Sequence, residues 1–378
     1  MYTFSVTICR VILPLLIVES LENQRVITHL RNQTINLDTE SDLLTCHKSK
    51  KLGVALVGLG IYSTNYLAPA LLSTRHCYLK GIVTGTPSKA SQWKSKYALK
   101  DEHIYDYDNM QAISNDQTID VIYIVLPTGL HAKYAIKAAE TGKHIWCEKP
   151  MARTAQECQD IIDACRANNV KLSIGYRLHH EDNTQAIVNY AQSGSYGRIE
   201  TITSEVGYCH KGRDHWKHSK RLGGGAIYDL GVYSINVARN IIGEEPVAVF
   251  ATHEIARPEI YNLVDETTIF QLEFPGGVLA KCEVSLGKVM NDLRIFCDSG
   301  WLSLSPFQLY SGIKGITSSG RVMNIDTCNQ QVKQMDNDAL AIINKTDVMV
   351  SGEEGLKDIR IVEAICKSAA TNGQRVVL

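Results

Sequence analysis

The chain has 378 residues, 44% of them hydrophobic, and a formal net charge of −1 at pH 7. Single cores rarely grow beyond about 300 residues, so this length favours two domains. No dense basic block is present, which argues against a nucleic-acid partner. The 11 cysteines have no Cys-x-x-Cys spacing, so we predict neither a metal site nor a full disulfide framework. A small-molecule ligand and a reducing, cytoplasmic compartment are expected.

Residues 1–50 are predicted to be an extension ahead of the folded part, because residues 19–50 are polar and lack periodicity. Residues 11–18 form an apolar run of signal-peptide length that is too short to span a bilayer. Only Arg10 precedes the run as a positive charge, and no small-x-small cleavage site follows it. A periplasmic or secreted location, or a role as an arm, stays open, and no membrane association is predicted.

Residues 51–175 alternate between apolar strands and helices, which is typical of a parallel, doubly wound sheet. The run Val121–Leu126 is apolar throughout, as in a strand that is buried on both faces. The predicted strands are 52–58, 78–83, 121–126, 144–147 and 171–174, and the predicted helices are 63–73, 89–97, 130–141 and 154–168.

The pattern changes after residue 176, where successive strands follow one another with only turns between them. The junction Phe274-Pro-Gly-Gly-Val278 predicts a hairpin. We therefore expect residues 176–378 to form an α+β domain with an open, mostly antiparallel sheet, which the helical stretch 225–242 covers on its inner face. The predicted strands are 199–206, 247–253, 267–274, 278–285 and 293–298, and a further helix is predicted at 182–193.

A glycine-rich turn follows the first strand, with the sequence Gly58-Leu59-Gly60-Ile61-Tyr62-Ser63. In the Rossmann dinucleotide fingerprint the first glycine permits a tight turn, and the second lets the backbone approach a pyrophosphate at a helix N-terminus. Ser63 stands in place of the third glycine, which serves helix packing. The turn predicts a dinucleotide site, although a glycine turn of another α/β protein is the alternative.

The end of the second predicted strand carries Thr84 where an NAD-specific site would place a carboxylate, and Lys89 follows nearby. A carboxylate would repel a 2′-phosphate, whereas a hydroxyl and an ammonium attract one. NADP is therefore favoured over NAD, which stays possible. The alternative is that Lys89 is an ordinary solvated charge.

Glu148-Lys149-Pro150 directly follows a strand, at the sheet edge where open α/β proteins bind ligands. A lysine there could hydrogen-bond a hydroxyl and stabilise an alkoxide, or it could simply pair with Glu148 at the surface. Farther on, Asp229 and Tyr233 stand four residues apart after a triple glycine, so a helix would place both on one face. The pair could hold and deprotonate a hydroxyl, or it could be a cap and a core aromatic.

Together these segments resemble the glucose-fructose oxidoreductase, inositol dehydrogenase and MocA (Gfo/Idh/MocA) family, in its glucose-fructose oxidoreductase and sugar dehydrogenase branch. The resemblance covers about residues 51–378 and includes Gly175-Tyr-Arg177, Ser234-Ile-Asn236 and Gly352-Glu-Glu-Gly355. It implies a nicotinamide-binding domain, followed by an α/β domain whose sheet often forms a homodimer or homotetramer.

The resemblance also implies roles for individual residues. Lys149, Tyr233 and Asp229 would be catalytic, with the last two also binding substrate together with Tyr176 and Arg177. The implied cofactor-binding residues are Gly58, Leu59, Gly60, Ile61, Tyr62, Thr84, Lys89, Leu126, Pro127, His131, Glu148, Lys149 and Trp216.

On this basis we hypothesise an NADP-dependent enzyme that oxidises a cyclic aldose, such as glucose or xylose, at C1 to the lactone. One alternative is a glucose-fructose oxidoreductase that retains its NADP and reduces a second sugar in a ping-pong cycle. Another is a non-catalytic sensor that binds the nucleotide without turnover.

Overall fold

The computed structural model describes residues 50–212, 215–325 and 329–378. The predicted extension at 1–50 lies outside these residues, except for Lys50. No helix within the described ranges is both long and apolar enough to cross a membrane.

The first sheet has six parallel strands in the order β3-β2-β1-β4-β5-β6. All six residues of β1 are buried, because helices cover both faces of the sheet. The strand order reverses between β1 and β4, and ligands of open α/β sheets bind at such a reversal, beyond the carboxyl ends of the strands. The strands are β1 (Leu52–Val57), β2 (Cys77–Val83), β3 (Ile104–Tyr105), β4 (Val121–Ile124), β5 (His144–Cys147) and β6 (Leu172–Ile174).

Four α-helices connect these strands: α1 (Ala68–Leu71), α2 (Pro87–Tyr97), α3 (His131–Ala139) and α4 (Ala155–Ala167). The predicted helix at 63–73 is not uniform, because its first turns, Ser63–Leu67, are π-helical. Two hydroxyls there bond to carbonyls of the glycine turn: Ser63 Oγ donates to Gly58 O at 2.6 Å and Thr64 Oγ1 donates to Gly60 O at 2.8 Å. The start of the helix is thereby fixed to the turn.

The second sheet has nine strands in the order β14-β13-β12-β11-β7-β10-β9-β8-β15. It is mostly antiparallel, as predicted, and β7 with β10 forms its parallel pair. The predicted hairpin joins β9 to β10. The strands are β7 (Ile199–Gly207), β8 (Ala248–Glu254), β9 (Thr267–Glu273), β10 (Leu279–Ser285), β11 (Met290–Cys297), β12 (Gly300–Leu304), β13 (Gly315–Thr317), β14 (Val322–Met323) and β15 (Val376–Val377).

The remaining α-helices are α5 (Asp182–Gln192), α6 (Val232–Ile242), α7 (Gln330–Ile343) and α8 (Gly352–Ala370). Helix α6 packs on the second sheet, as predicted, and the buried hydroxyls of Ser204 on β7 and Ser234 lie 2.7 Å apart. Helix α7, which the sequence analysis did not predict, returns to the first sheet. Its Met335 and Ala339 join an apolar cluster with Leu56 of β1.

The side chain of Asp336 fixes α7 to the first half of the chain. Its carboxylate accepts hydrogen bonds from the backbone N–H groups of Arg75 and His76 at 2.8 to 3.0 Å. The predicted boundary at 175/176 lies just after β6, but α7 follows it in the chain and packs against elements that precede it. The division into domains at that point stays a prediction.

Candidate active site

A cleft of about 830 Å³ lies at the carboxyl ends of β1, β2, β4 and β5. One wall carries the glycine turn and the ends of these strands, and the other carries residues of the second half of the chain. The lining residues singled out from the sequence are Gly58, Leu59, Gly60, Ile61, Tyr62, Thr84, Lys89, Leu126, Pro127, Glu148, Lys149, Trp216, Asp229 and Tyr233.

The glycine turn has the geometry that a dinucleotide requires. Gly58 has a φ of +94°, and a Cβ there would lie 2.4 Å from the carbonyl oxygen of Val125, so a larger residue would clash. A Cβ on Gly60 would meet nothing within 4 Å, which leaves open space beside the backbone. The first turn of a helix has N–H groups without intrahelical partners, and here that turn borders the cleft. These residues fit a pyrophosphate group.

The part of the cleft beyond β2 is lined by hydroxyl, amide and ammonium groups. Thr84 is buried at the end of the strand, and exposed Lys89 donates from Nζ to the carbonyl of Leu59 at 3.1 Å. The carboxylates among the described lining residues are Glu148 and Asp229, which belong to the opposite side of β1. This end of the cleft therefore has the composition that a 2′-phosphate would favour.

At the other end, Lys149, Asp229 and Tyr233 lie together. Lys149 Nζ donates to the backbone carbonyl of Asp229 at 2.9 Å and stands 4.1 Å from the centre of the Tyr233 ring. The Asp229 carboxylate has different partners: it accepts from Lys217 Nζ at 2.5 Å and from the Tyr208 hydroxyl at 2.9 Å. Residues from both halves of the chain thus form one polar cluster.

The triple glycine positions this cluster through close backbone packing. A Cβ on Gly224 would lie 2.2 Å from the Lys217 carbonyl, and one on Gly225 would lie 2.0 Å from a carboxylate oxygen of Asp265. Residues Ile227–Gly231 then form a π-helical turn, after which α6 begins. Asp229 therefore lies in a widened turn rather than in the regular α-helix that the spacing predicts, although it still reaches the same cleft as Tyr233.

The charges in the cluster shift its pKa values. Burial opposes ionisation of Asp229, but Lys217 and Lys149 outweigh it and lower the pKa of this carboxyl to about 2. Burial also opposes ionisation of Tyr233, yet the positive charges of Lys149 and Arg177 bring the pKa of the phenol below its usual value. The cluster therefore favours an ionised carboxylate and an acidified phenol.

Three predicted site residues lie behind the cleft surface and are not among its lining residues. His131 is buried, with Nε2 2.7 Å from the carbonyl of Leu126 and Nδ1 2.9 Å from that of Pro150, so it links the loops after β4 and β5. Tyr176 and Arg177 are each 1% exposed. The structure does not bring Tyr176 to the surface of the cleft.

Arg177 does not line the cleft, but its charge acts on Tyr233, which does. Its guanidinium carbon lies 5.3 Å from the centre of the Tyr233 ring and 4.6 Å from that of Tyr310. The guanidinium is held by the Leu309 carbonyl at 2.7 Å and by Gln330 Oε1 at 2.5 Å. Its geometry suits electrostatic support of Tyr233 better than direct contact with a ligand.

Several lining residues were missed by the sequence analysis. Lys217 adjoins Trp216 in an irregular loop, and its pairing with Asp229 is a tertiary contact that spacing does not indicate. Tyr310 follows β12 in a segment without periodicity, where its ring lies 4.0 Å from that of Tyr66, between ring centres. The proximity of Lys217 to Trp216 is the one signal that could have drawn attention to it.

A dinucleotide turn, a cleft at the strand-order reversal and a lysine, aspartate and tyrosine over that cleft together define a nicotinamide-dependent oxidoreductase. Two family models match the chain. One, described as an oxidoreductase family with an NAD-binding Rossmann fold, matches residues 52–176, and the other, the GFO/IDH/MocA C-terminal domain, matches residues 184–303. The chain belongs to the Gfo/Idh/MocA family of NAD(P)-dependent oxidoreductases, as its motifs predicted.

The similarity of the chain to known sugar oxidoreductases is consistent with this family assignment. The crystal structure of aldose-aldose oxidoreductase from Caulobacter crescentus, in complex with glycerol, is 32% identical, with a TM-score of 0.84 over 87% of this chain and 100% of that one. D-xylose 1-dehydrogenase [NADP(+)] of Haloarcula marismortui is 26% identical over 84% of this chain and 91% of its own. The dTDP-3,4-didehydro-2,6-dideoxy-alpha-D-glucose 3-reductase of Saccharopolyspora spinosa is 23% identical over 84% and 97%.

Proposed function

We propose that the protein oxidises a cyclic aldose, such as glucose or xylose, at C1 to the lactone with NADP as hydride acceptor. The observation that carries this proposal is the position of Lys149, whose ammonium stands 4.1 Å from the ring of a tyrosine with a lowered pKa. A similar protein that is named as a xylose 1-dehydrogenase and another that is named as an aldose-aldose oxidoreductase support the choice of substrate and carbon.

Each residue of the cluster has a separate role in this mechanism. Tyr233 takes the proton of the C1 hydroxyl as general base, since Lys149 and Arg177 favour its ionised form. Lys149 donates a hydrogen bond to the same oxygen and stabilises its developing negative charge. Asp229 holds Lys149 through its backbone carbonyl, and its carboxylate orients Lys217 beside the sugar. NADP, when bound, supplies the carbon that accepts the hydride.

The cofactor preference follows from the end of the cleft beyond β2. Lys89 would pair with the 2′-phosphate, and Thr84 would not repel it, because a threonine carries no negative charge. The backbone from Gly58 to Tyr62 would hold the pyrophosphate. Leu126, Pro127 and Trp216 would flank the nicotinamide half. NAD binding at lower affinity is compatible with the same residues.

The first experiment is a turnover assay with a panel of aldoses, supplied separately with NADP⁺ and NAD⁺. We expect near-ultraviolet absorbance of reduced nicotinamide to grow with glucose or xylose and to grow faster with NADP⁺. A lactone as product would identify C1 as the site of oxidation. The proposal fails if no aldose reduces either nucleotide, or if the product is a keto-sugar.

A second candidate is an oxidoreductase that retains NADP and passes the hydride from one sugar to another. The 32% identity with the aldose-aldose oxidoreductase, over that entire chain, favours it. The protein purified without added nucleotide would then gain absorbance on mixing with glucose and lose it on addition of fructose. A protein that responds only after NADP⁺ is supplied would be a simple dehydrogenase.

A homodimer or homotetramer through the second sheet also stays a prediction. Its outer face carries large apolar side chains that are each about 40% exposed, namely Ile269, Phe296, Trp301 and Ile316. Sedimentation velocity would test it, with Trp301→Glu expected to favour the monomer. The cytoplasmic location is likewise a prediction.

A further inference from the structure

The buried carboxyl of Glu148 lies in the cleft wall beside Lys149 and has an unusual set of neighbours. Its side chain belongs to a residue that is 7% exposed, and Oε1 accepts a hydrogen bond from the Tyr123 hydroxyl at 2.6 Å. The oxygen of Tyr123 accepts in turn from Gln334 Nε2 of α7 at 3.0 Å. Gly175 closes the other side, since a Cβ there would lie 2.7 Å from Oε1.

This chain of three side chains can accommodate either protonation state of Glu148. With an ionised carboxylate, Tyr123 donates its single proton to Glu148 and accepts from the Gln334 amide nitrogen. With a protonated carboxyl, Glu148 donates to Tyr123, whose own proton then needs an acceptor. Gln334 Oε1 can be that acceptor after the amide turns over, and within the described part of the chain this oxygen has no other hydrogen-bond partner.

The charged and titratable groups around Glu148 come from every neighbouring element. Lys149 is on the same loop, Cys147 ends β5 and Arg177 follows β6. The tyrosines that interact electrostatically with the carboxyl are Tyr62 after the glycine turn, Tyr233 of α6 and Tyr310 in the loop after β12. Burial raises the pKa of Glu148 to about 7, in spite of the two cations and the hydrogen bond from Tyr123. The carboxyl therefore changes charge near neutral pH.

We propose that Glu148 takes up a proton when the nicotinamide in the cleft is reduced and releases it when the nicotinamide is oxidised. Tyr123 and Gln334 are the positioning residues that satisfy both states. The inference rests on the proposed function, which places the nicotinamide beside Lys149. An oxidised nicotinamide ring carries a positive charge that a neighbouring carboxylate stabilises, whereas the reduced ring is neutral and leaves the buried carboxylate unopposed.

The chemistry balances without a further reactant. The sugar loses a hydride, with both electrons, from C1 to the nicotinamide, and loses its hydroxyl proton to Tyr233. Oxidation of the alcohol thus yields one proton for each reduced nicotinamide. Glu148 binds one proton equivalent, from Tyr233 or from water, as the positive charge of the ring disappears.

The test compares the dissociation constants of NADP⁺ and NADPH for the full-length protein, between about pH 5.5 and about pH 9. The ratio Kd(NADPH)/Kd(NADP⁺) should rise with pH, because the carboxylate that forms at higher pH favours the oxidised nucleotide. We expect a total rise on the order of tenfold, which corresponds to about one pKa unit between the two complexes. The 2′-phosphate is common to both nucleotides, so its titration cancels in the ratio.

Three variants are expected to change the pH dependence of this ratio in different ways. Glu148→Gln should make the ratio independent of pH. Tyr123→Phe removes the hydrogen bond to the carboxylate and should move the transition to higher pH. Gln334→Leu removes the acceptor that the protonated state needs and should move the transition to lower pH. Opposite shifts from two buried neighbours are not expected from a general loss of packing.

Met335→Leu is the matched control, because it changes a fully buried apolar side chain of the same helix and leaves the hydrogen bonds of Glu148, Tyr123 and Gln334 in place. Its transition should stay at the wild-type pH. A flat ratio in the wild type, or a transition that persists in Glu148→Gln, would overturn this inference and leave the proposed function intact. Failure of both nucleotides to bind at every pH would overturn both.

Discussion

At the glycine turn the cleft is built from backbone, whereas at Lys149 it is built from side chains that meet across long stretches of chain. Gly58 and Gly60 act through a positive φ and through open space, both within one turn. Lys149 and Asp229 are 80 residues apart, and Arg177 and Gln330 are 153 apart. The glycine turn, which we call the binding end, should therefore be sensitive to substitution at only a few positions. The cluster around Lys149, which we call the reacting end, depends on the alignment of several elements.

The largest expected effect is at the reacting end. Lys149→Ala and Tyr233→Phe should each reduce kcat by on the order of a hundredfold or more, because one removes the group that stabilises the negative charge on the C1 oxygen and the other removes the group that takes its proton. The dissociation constant of NADP⁺ should change little. Stopped-flow turnover and fluorescence titration would measure the two quantities.

The α3 helix offers a matched control pair outside the cleft, with Lys133 Nζ 5.1 Å from the centre of the Tyr134 ring. Lys133→Ala and Tyr134→Phe should leave kcat unchanged. Near wild-type kcat in both reacting-end variants would contradict the mechanism.

Lys217→Met should have the next largest effect, on stability, because it leaves the partly buried Asp229 carboxylate without its ammonium partner. We expect the free energy of unfolding at pH 7 to fall by about 3 kcal/mol. The depressed pKa of Asp229 means that its stabilising contribution is complete above the unfolded pKa of about 3.9 and is lost as the pH falls toward 2.

In Lys217→Met the Asp229 carboxyl no longer has the Lys217 charge that lowers its pKa, so it should take up a proton at a higher pH than in the wild type. The difference in unfolding free energy between Lys217→Met and the wild type should therefore narrow between pH 7 and pH 4, since protonated Asp229 leaves no unpaired charge. Urea unfolding at both pH values would measure it. Lys220→Met, at an exposed position in the same loop, is the control and should be neutral. An equal loss at both pH values would mean that the ammonium acts through packing alone.

At the binding end, Gly58→Ala and Gly60→Ala should separate folding from ligand affinity. An alanine at 58 meets the Val125 carbonyl and adopts a φ of +94°, so its stability should fall by about 1 to 3 kcal/mol. An alanine at 60 meets nothing in the protein, so the Tm of the Gly60→Ala variant should stay unchanged. Its affinity for NADP⁺ should fall by on the order of tenfold, because the added methyl group occupies space that the pyrophosphate needs. Normal affinity in Gly60→Ala would place the pyrophosphate elsewhere.

The smallest expected effect is that of Lys89→Ala, since Lys89 is exposed and solvent screens its charge. Affinity for NADP⁺ should fall several-fold, by about 1 kcal/mol, with no change for NAD⁺. Lys96→Ala, exposed on the same helix, is the control and should alter neither. Equal losses for both nucleotides would show that Lys89 does not read the 2′-phosphate.

Local patterns were sufficient to predict much of the fold. The strand His144–Cys147 has its predicted bounds, and the hairpin at 275–277 follows from its Pro-Gly-Gly turn. The glycine turn could also be predicted from the sequence, because a positive φ and the start of a helix depend only on neighbouring residues.

Helix α7 was not predictable in the same way. Its buried face contains Gln330, Gln331, Gln334 and Asp338, which hide the usual apolar periodicity. The three glutamines are buried because they form hydrogen bonds with Arg177, Tyr62 and Tyr123, which are distant in the sequence. Lys217 was missed for the same reason, since its partner is set by the tertiary fold.

The packing of α7 on the first sheet has a consequence for protein engineering. A nucleotide-binding unit cut at residue 175 and fused to another enzyme would lose the helix that covers Leu56, Tyr123 and Trp146. The exposed sheet would be prone to aggregation. A portable version of this unit must therefore carry residues 329–343 as well, joined back through a linker or by circular permutation.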